Sequence, residues 1–66
     1  MTRIQLNGTA KEIAAATITE LVQELGLPAA TLLIEHNGVA LHRSEWEEAS
    51  LQSNYQIEIL RVAAGG

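Results

Sequence analysis

His36 and His42 are the only histidines, and they stand on either side of Asn37-Gly38. An imidazole can activate a hydroxyl or thiol nucleophile when a third group orients it. The chain has no cysteine and no aspartate to complete that arrangement. Its acidic residues are all glutamates. Histidines at the two ends of a tight turn are expected to be exposed strand-end residues. A thin sheet-and-helix domain also has little concave volume for an enzymatic pocket. No catalytic residue is assigned.

Glu35, His36 and His42 are the conceivable metal ligands. They form no compact ligand motif, and structural zinc sites commonly draw on cysteine. No metal site is expected. Glu45, Glu47 and Glu48 form an acidic cluster. It reads first as a solvated rim that favours solubility. The other reading is an electrostatic docking patch for a basic partner. The rim reading is preferred because Glu47 has a helix-capping position.

The remaining chemistry lies at Ala63-Ala64-Gly65-Gly66. Gly65 and Gly66 carry no side chains, so a carboxylate on Gly66 sits on a thin stalk. Such a stalk can enter a narrow channel, where only glycine lets backbone come close to a second protein. Ala64 and Gly65 provide the access. Frayed termini are common, and composition alone leaves both readings open.

The rest of the chain must present that stalk. Its 66 residues allow a single domain. The hydrophobic fraction of 47% and charged fraction of 18% indicate a globular chain. Without cysteine or phenylalanine, stability must come from packed Ile, Leu, Val and Ala. The formal net charge is -4 and the basic residues are Arg3, Lys11, Arg43 and Arg61, scattered along the chain. That distribution argues against nucleic acid, which needs clustered Lys and Arg to displace counterions. No apolar run is long enough to span a bilayer, and Met1 to Leu6 lack a signal-peptide core. A cytoplasmic location is the default expectation.

Ile4 and Leu6 alternate with Arg3 and Gln5, a half-buried strand pattern over residues Thr2 to Leu6. Asn7-Gly8 is a strong hairpin signal, and Thr9 to Ile13 would return. Thr17-Ile18-Thr19-Glu20 is a capping box, with the Glu20 carboxylate expected on the Thr17 amide. Ile18, Leu21, Val22 and Leu25 then form one helical stripe. Gly26 supplies a left-handed stop, and Pro28 prevents resumption. Leu32 to His36 form a third strand, whose continuous apolar run suggests burial on both sides. Asn37-Gly38 turns the chain into a fourth strand, with Val39 and Leu41. Ser44 to Glu47 repeat the capping-box pattern and predict one short helical turn. Trp46 is expected at a core edge. The last strand is expected over Tyr55 to Val62. There Ile57 and Ile59 share one face, and Leu60 and Val62 share the other. An apolar pair facing outward just before the stalk suggests a docking surface. A strand bulge or a cover over that face is the other reading. One helix stripe and one sheet face that must bury each other define an α+β two-layer domain.

Four segments together resemble a known family. They are Ile4 to Gly8 followed by Thr17 to Val22, then Asn37 to Trp46, then Gln56 to Leu60 through Gly65-Gly66. The pattern is similar to the thiamine-biosynthesis sulfur carriers, the ThiS family, over essentially the whole chain. A terminal Gly-Gly is shared by many ubiquitin-like proteins; Arg43-Ser44-Glu45-Trp46 and the short length are more particular. Two departures from the family pattern stand out. Asn54-Tyr55 stands where Gly-Asp is usual, and His42 where Pro is frequent. Asn tolerates the left-handed backbone that Gly would supply.

The resemblance implies a ubiquitin-like β-grasp fold, a mixed sheet of four to five strands with one main helix on one face. It implies a domain over residues 1–62 and a flexible tail over 63–66. It implies a carrier rather than an enzyme. An adenylating (ThiF-like) activating enzyme, using ATP and magnesium, would activate the Gly66 carboxylate. A sulfur donor such as a cysteine desulfurase would convert it to a thiocarboxylate. A thiazole synthase (ThiG-like) would accept the sulfur. The chain itself would need no cofactor. Other carriers share these features, including those for molybdopterin, cysteine synthesis and tRNA thiolation. A protein modifier and a β-grasp interaction module without tail chemistry are the alternatives of other classes.

Overall fold

The computed structural model describes residues 1–62. The expected elements are present, with β1 over Thr2–Leu6, β2 over Thr9–Ile13 and α1 over Ile18–Leu25. They continue with β3 over Leu32–His36, β4 over Val39–Leu41 and β5 over Gln56–Arg61. The last strand is thus shorter at both ends than the alternation suggests. The five strands form one mixed sheet in the order β2-β1-β5-β3-β4. β5 lies at its centre, parallel to β1 and antiparallel to β3. Each hairpin therefore contributes its inner strand to one side of the last strand.

Both hairpins turn on Asn-Gly. Asn7 and Asn37 take φ of 50° and 49°, and Gly8 and Gly38 take 82° and 84°. Paired positive φ values match the right-handed strand twist. The third left-handed residue outside glycine is Asn54, φ 71°, where the resemblance led us to expect a tolerated substitution. Its amide donates to Arg3 O at 2.9 Å and holds the entry to β5 beside β1.

Thr17 Oγ1 accepts from the Glu20 amide at 3.2 Å, and Gly26 closes the helix with φ 69°. The second half of the capping box differs from expectation. Glu20 Oε1 accepts from the Ala16 amide at 2.8 Å rather than from Thr17. The Thr17 main chain bridges Ser50 instead, with Ile18 N donating to Ala49 O and Leu51 N to Ala16 O. Glu24 carries more of the helix entrance than its place off the stripe suggests. Its carboxylate accepts from the Ala14 and Ala15 amides at 3.1 and 2.8 Å.

The second capping box is also displaced. A 3-10 turn covers Arg43–Glu45, and the Glu45 carboxylate accepts from the His42 amide at 2.7 Å. Glu45 therefore does the work expected of Glu47, because the turn opens two residues earlier than the Ser44 pattern implies. A further 3-10 turn, Ala29–Thr31, follows Pro28 and had no expectation attached.

The helix lies across one face of the sheet. Ile18, Leu21 and Val22 from its stripe meet Ile4, Ile13, Ile34 and Ile57 from the strands, all buried. Leu25 is half-buried against this core. Trp46 is buried as expected at the edge, with the Arg43 guanidinium 5.8 Å from its ring centre. Branched aliphatic side chains close the core without any disulfide.

Candidate functional site: the strand that leads to the tail

The candidate site is the C-terminal end of β5. On its β3 side the ladder is regular, with Ile34 opposite Ile59, Leu33 opposite Leu60 and Leu32 opposite Arg61. Val62 N continues it by donating to Thr31 O at 2.8 Å. There is no bulge, so the sequence break at Leu60 is a true change of face. Ile57 is buried and Ile59 half-buried beneath the helix. Leu60 and Val62 are 51% and 44% exposed on the opposite, open face.

Leu33 joins them. The run Leu32-Leu33-Ile34 suggested burial on both sides, but only Leu32 and Ile34 are buried while Leu33 is 54% exposed. β3 has one face covered by the helix and one face open. Leu33 stands directly across from Leu60, so the open face carries an apolar patch of three residues at the base of the tail. Sequence reasoning missed Leu33 because a short apolar run does not reveal whether anything covers its second face. Nothing local in the sequence marked it.

Farther along that face, Glu35 stands opposite Glu58. Among the described residues the one ion pair is Arg3–Glu12, exposed, at 3.4 Å. The open face thus combines an apolar end with an unneutralised pair of carboxylates. On the helix side of the same strand end lies an open groove of about 500 Å³, walled by Leu6, Leu25, Leu27 and Ile59 with Arg61 beside it.

The β1 side of β5 is held differently. Main-chain pairing ends at Leu6 and Ile57, with Asn7 N donating to Ile57 O at 2.9 Å. Beyond that point the Asn7 side chain takes over. Its Oδ1 accepts from Ile59 N at 2.8 Å and its Nδ2 donates to Ile59 O at 3.3 Å. The sequence marked Asn7 as a turn residue; this second role depends on a residue 52 positions away and has no local signal.

The other residues singled out in the sequence do not gather into a site. His42 is exposed at the start of the 3-10 turn. His36 is half-buried rather than exposed, because its ring packs on Tyr55 with centroids 4.2 Å apart. Its Nε2 is buried without a hydrogen-bond partner. Tyr55, which departs from the family pattern beside Asn54, is thereby part of the packing. No three His, Cys, Asp or Glu side chains among the described residues are grouped to hold a metal ion. Glu45, Glu47 and Glu48 are all exposed. Ala64, Gly65 and Gly66 lie outside the described residues, as does the expected tail over 63–66.

This architecture defines a class: a ubiquitin-like β-grasp domain whose central strand runs out toward the C-terminal segment. The chain belongs to the ThiS family, whose model matches residues 4–66. Among solved structures it is similar to a thiamine biosynthesis protein (ThiS) from Geobacter metallireducens, at 25% identity and a TM-score of 0.84. The alignment covers 98% of this chain and 100% of that one. No curated protein matches. No helix among the described residues is long and apolar enough to cross a membrane.

Proposed function

We propose that this chain is a sulfur carrier of thiamine biosynthesis, a protein co-substrate that works through the carboxylate of Gly66. The observation that carries the reading is the family match, which runs through the Gly65-Gly66 pair. The open apolar patch of Leu33, Leu60 and Val62 supports it, because a carrier must be gripped by each enzyme that acts on its tail.

A carboxylate is a poor electrophile, since its negative charge and resonance oppose attack at carbon. An activating enzyme, with ATP and magnesium, joins a Gly66 carboxylate oxygen to the α-phosphorus and releases pyrophosphate. The acyl-adenylate has a good leaving group. A sulfur nucleophile from a donor such as a cysteine desulfurase then attacks the acyl carbon and expels AMP. When the nucleophile is the outer sulfur of a donor persulfide, the product is an acyl disulfide. Two reducing thiols cleave its S–S bond, freeing the donor cysteine, forming their own disulfide and leaving a thiocarboxylate on Gly66. The thiazole synthase moves the sulfur onto the acceptor, an oxygen from water or the acceptor takes its place on the acyl carbon, and the carboxylate is restored for another round. In this cycle the folded domain contributes docking and presentation: Leu60 and Val62, with Leu33, are the docking residues, and Ala64 and Gly65 give the tail access to the partner's active site.

The test is intact-protein mass spectrometry after incubation with ATP, magnesium, a ThiF-like activating enzyme and a sulfur donor. The expected result is a mass gain equal to one oxygen exchanged for sulfur, absent when Gly66 is deleted. Unchanged mass, with the same enzyme competent on another carrier, overturns the reading. Adducts joined to target lysines would instead mark a protein modifier.

A further inference from the structure

We infer that Asn7 is a positioning residue for the carrier reaction: its amide clamps Ile59 and so fixes the direction in which the tail leaves the sheet. The inference rests on the carrier reading above, and it gives a turn residue a role in that reaction.

The geometry is specific to one edge of one strand. β5 is held on its β3 side by a ladder that reaches Val62. On its β1 side the main-chain ladder stops at Ile57, because β1 has already turned into the Asn7-Gly8 hairpin. The next residue turned toward that edge is Ile59. Both of its main-chain groups are taken by the Asn7 amide, at 2.8 and 3.3 Å. The residue after that on the same edge, Arg61, makes no main-chain hydrogen bond there among the described residues. Asn7 is therefore the last support on that side before the tail. A primary amide suits the task, because it offers an acceptor and a donor side by side and so imitates a strand neighbour.

The consequence concerns orientation more than affinity. A strand end held on one edge only can swing about that edge. The end of the tail, several residues farther on, would amplify the swing. Catalysis on a positioned carboxylate is sensitive to such displacement. The main chain of the docking patch is held from the β3 side, with Leu60 across from Leu33 and Val62 N on Thr31 O, so the patch keeps that support when the clamp is lost.

The protein contains its own control. Asn37 has nearly the same φ, also precedes glycine, and also clamps β5. Its Oδ1 accepts from Gln56 N at 2.9 Å, at the end of the strand far from the tail. Asn7→Gly and Asn37→Gly each keep a left-handed turn accessible while removing one clamp.

The experiment compares full-length wild type, N7G and N37G in steady-state adenylation with the ThiF-like activating enzyme, followed by pyrophosphate release. Amide hydrogen exchange of the free proteins is read in parallel. In N7G, kcat is expected to fall roughly tenfold to a hundredfold with KM within about twofold, and Ile59 amide protection is lost. In N37G, kcat and KM stay near wild type. Asn7→Asp, which keeps the acceptor for Ile59 N and loses the donor, is expected to fall between N7G and wild type in both readouts. Equal falls in N7G and N37G would mean a general stability effect and overturn the inference. So would a rise in KM at constant kcat, which marks Asn7 as a contact residue, or an N7G protein that matches wild type. A wild-type chain that the enzyme does not adenylate overturns the carrier reading and this inference together; an active wild type with an unaffected N7G overturns the inference alone.

Discussion

The two faces of the sheet are made by the same strands and carry opposite duties. On the helix side, Ile4, Ile34 and Ile57 come from three neighbouring strands and are nearly inaccessible to water. On the open side, the adjoining positions are Arg3, Gln5, Glu35, Glu58, Leu33 and Leu60. The helix side is apolar where the helix covers it, because water must be excluded there to hold the domain together; Lys11, opposite Ile4, and Arg61, opposite Leu32, stand at its exposed margins. The open side is polar along most of its length and apolar only beside the tail. Core packing and the proposed docking surface are thus separated by a single residue step along β5. Ile59 supports the core and Leu60, next to it, faces solvent. A small carrier gains from this separation, since partners can grip one face without disturbing the packing of the other.

Substitutions can test that separation. The largest expected effect on stability comes from the helix side. Ile57→Ala removes a fully buried side chain from the central strand and is expected to cost about 2–5 kcal/mol, read as a lower urea midpoint. If Ile57→Ala were nearly neutral, the covered face would not be the source of stability.

Glu24 sharpens the comparison, because it is exposed on the helix and yet holds main chain. Glu24→Ala leaves the Ala14 and Ala15 amides without their acceptor. The expected loss is about 1–3 kcal/mol, again by urea titration. A loss below that range would mean that water replaces the carboxylate at little cost.

Leu60→Glu acts on the open face. It is expected to change unfolding free energy by no more than about 0.5 kcal/mol, as at ordinary surface positions. It should nevertheless raise KM for adenylation by roughly tenfold or more, the size of a lost interface anchor. A destabilised Leu60→Glu protein with unchanged KM would reverse the assignment of the two faces. Gly65→Val is expected to have the smallest effect on thermal stability while abolishing thiocarboxylate formation, as read by intact mass. Strong destabilisation by that change would argue against a purely chemical role for the tail.

Much of the fold was legible along the chain, and the reasons are local. Asn-Gly pairs specify tight turns through their backbone preference. Thr17, Gly26 and the stripe between them specify a helix with two ends. The strand at Leu32–His36 followed from a bounded apolar run. The misreadings share a cause. Glu20, Glu24 and Glu45 all accept main-chain hydrogen bonds, but which amide each receives depends on how the neighbouring loop approaches. His36 was expected to be exposed, and the packing of Tyr55 decides otherwise.

The sequence by itself determined the local elements, the aliphatic nature of the core, the outward turn of Leu60 and Val62, and the candidate chemistry at Gly66. These follow from side-chain period, turn propensity and residue type, all short-range properties. Tertiary structure decided that β5 is central, that Leu33 completes the patch, and that Asn7 reaches across to Ile59. Strand order and register are set by packing between segments far apart in the chain. A period of two shows which residues share a face, but only the placement of the helix shows which face is covered.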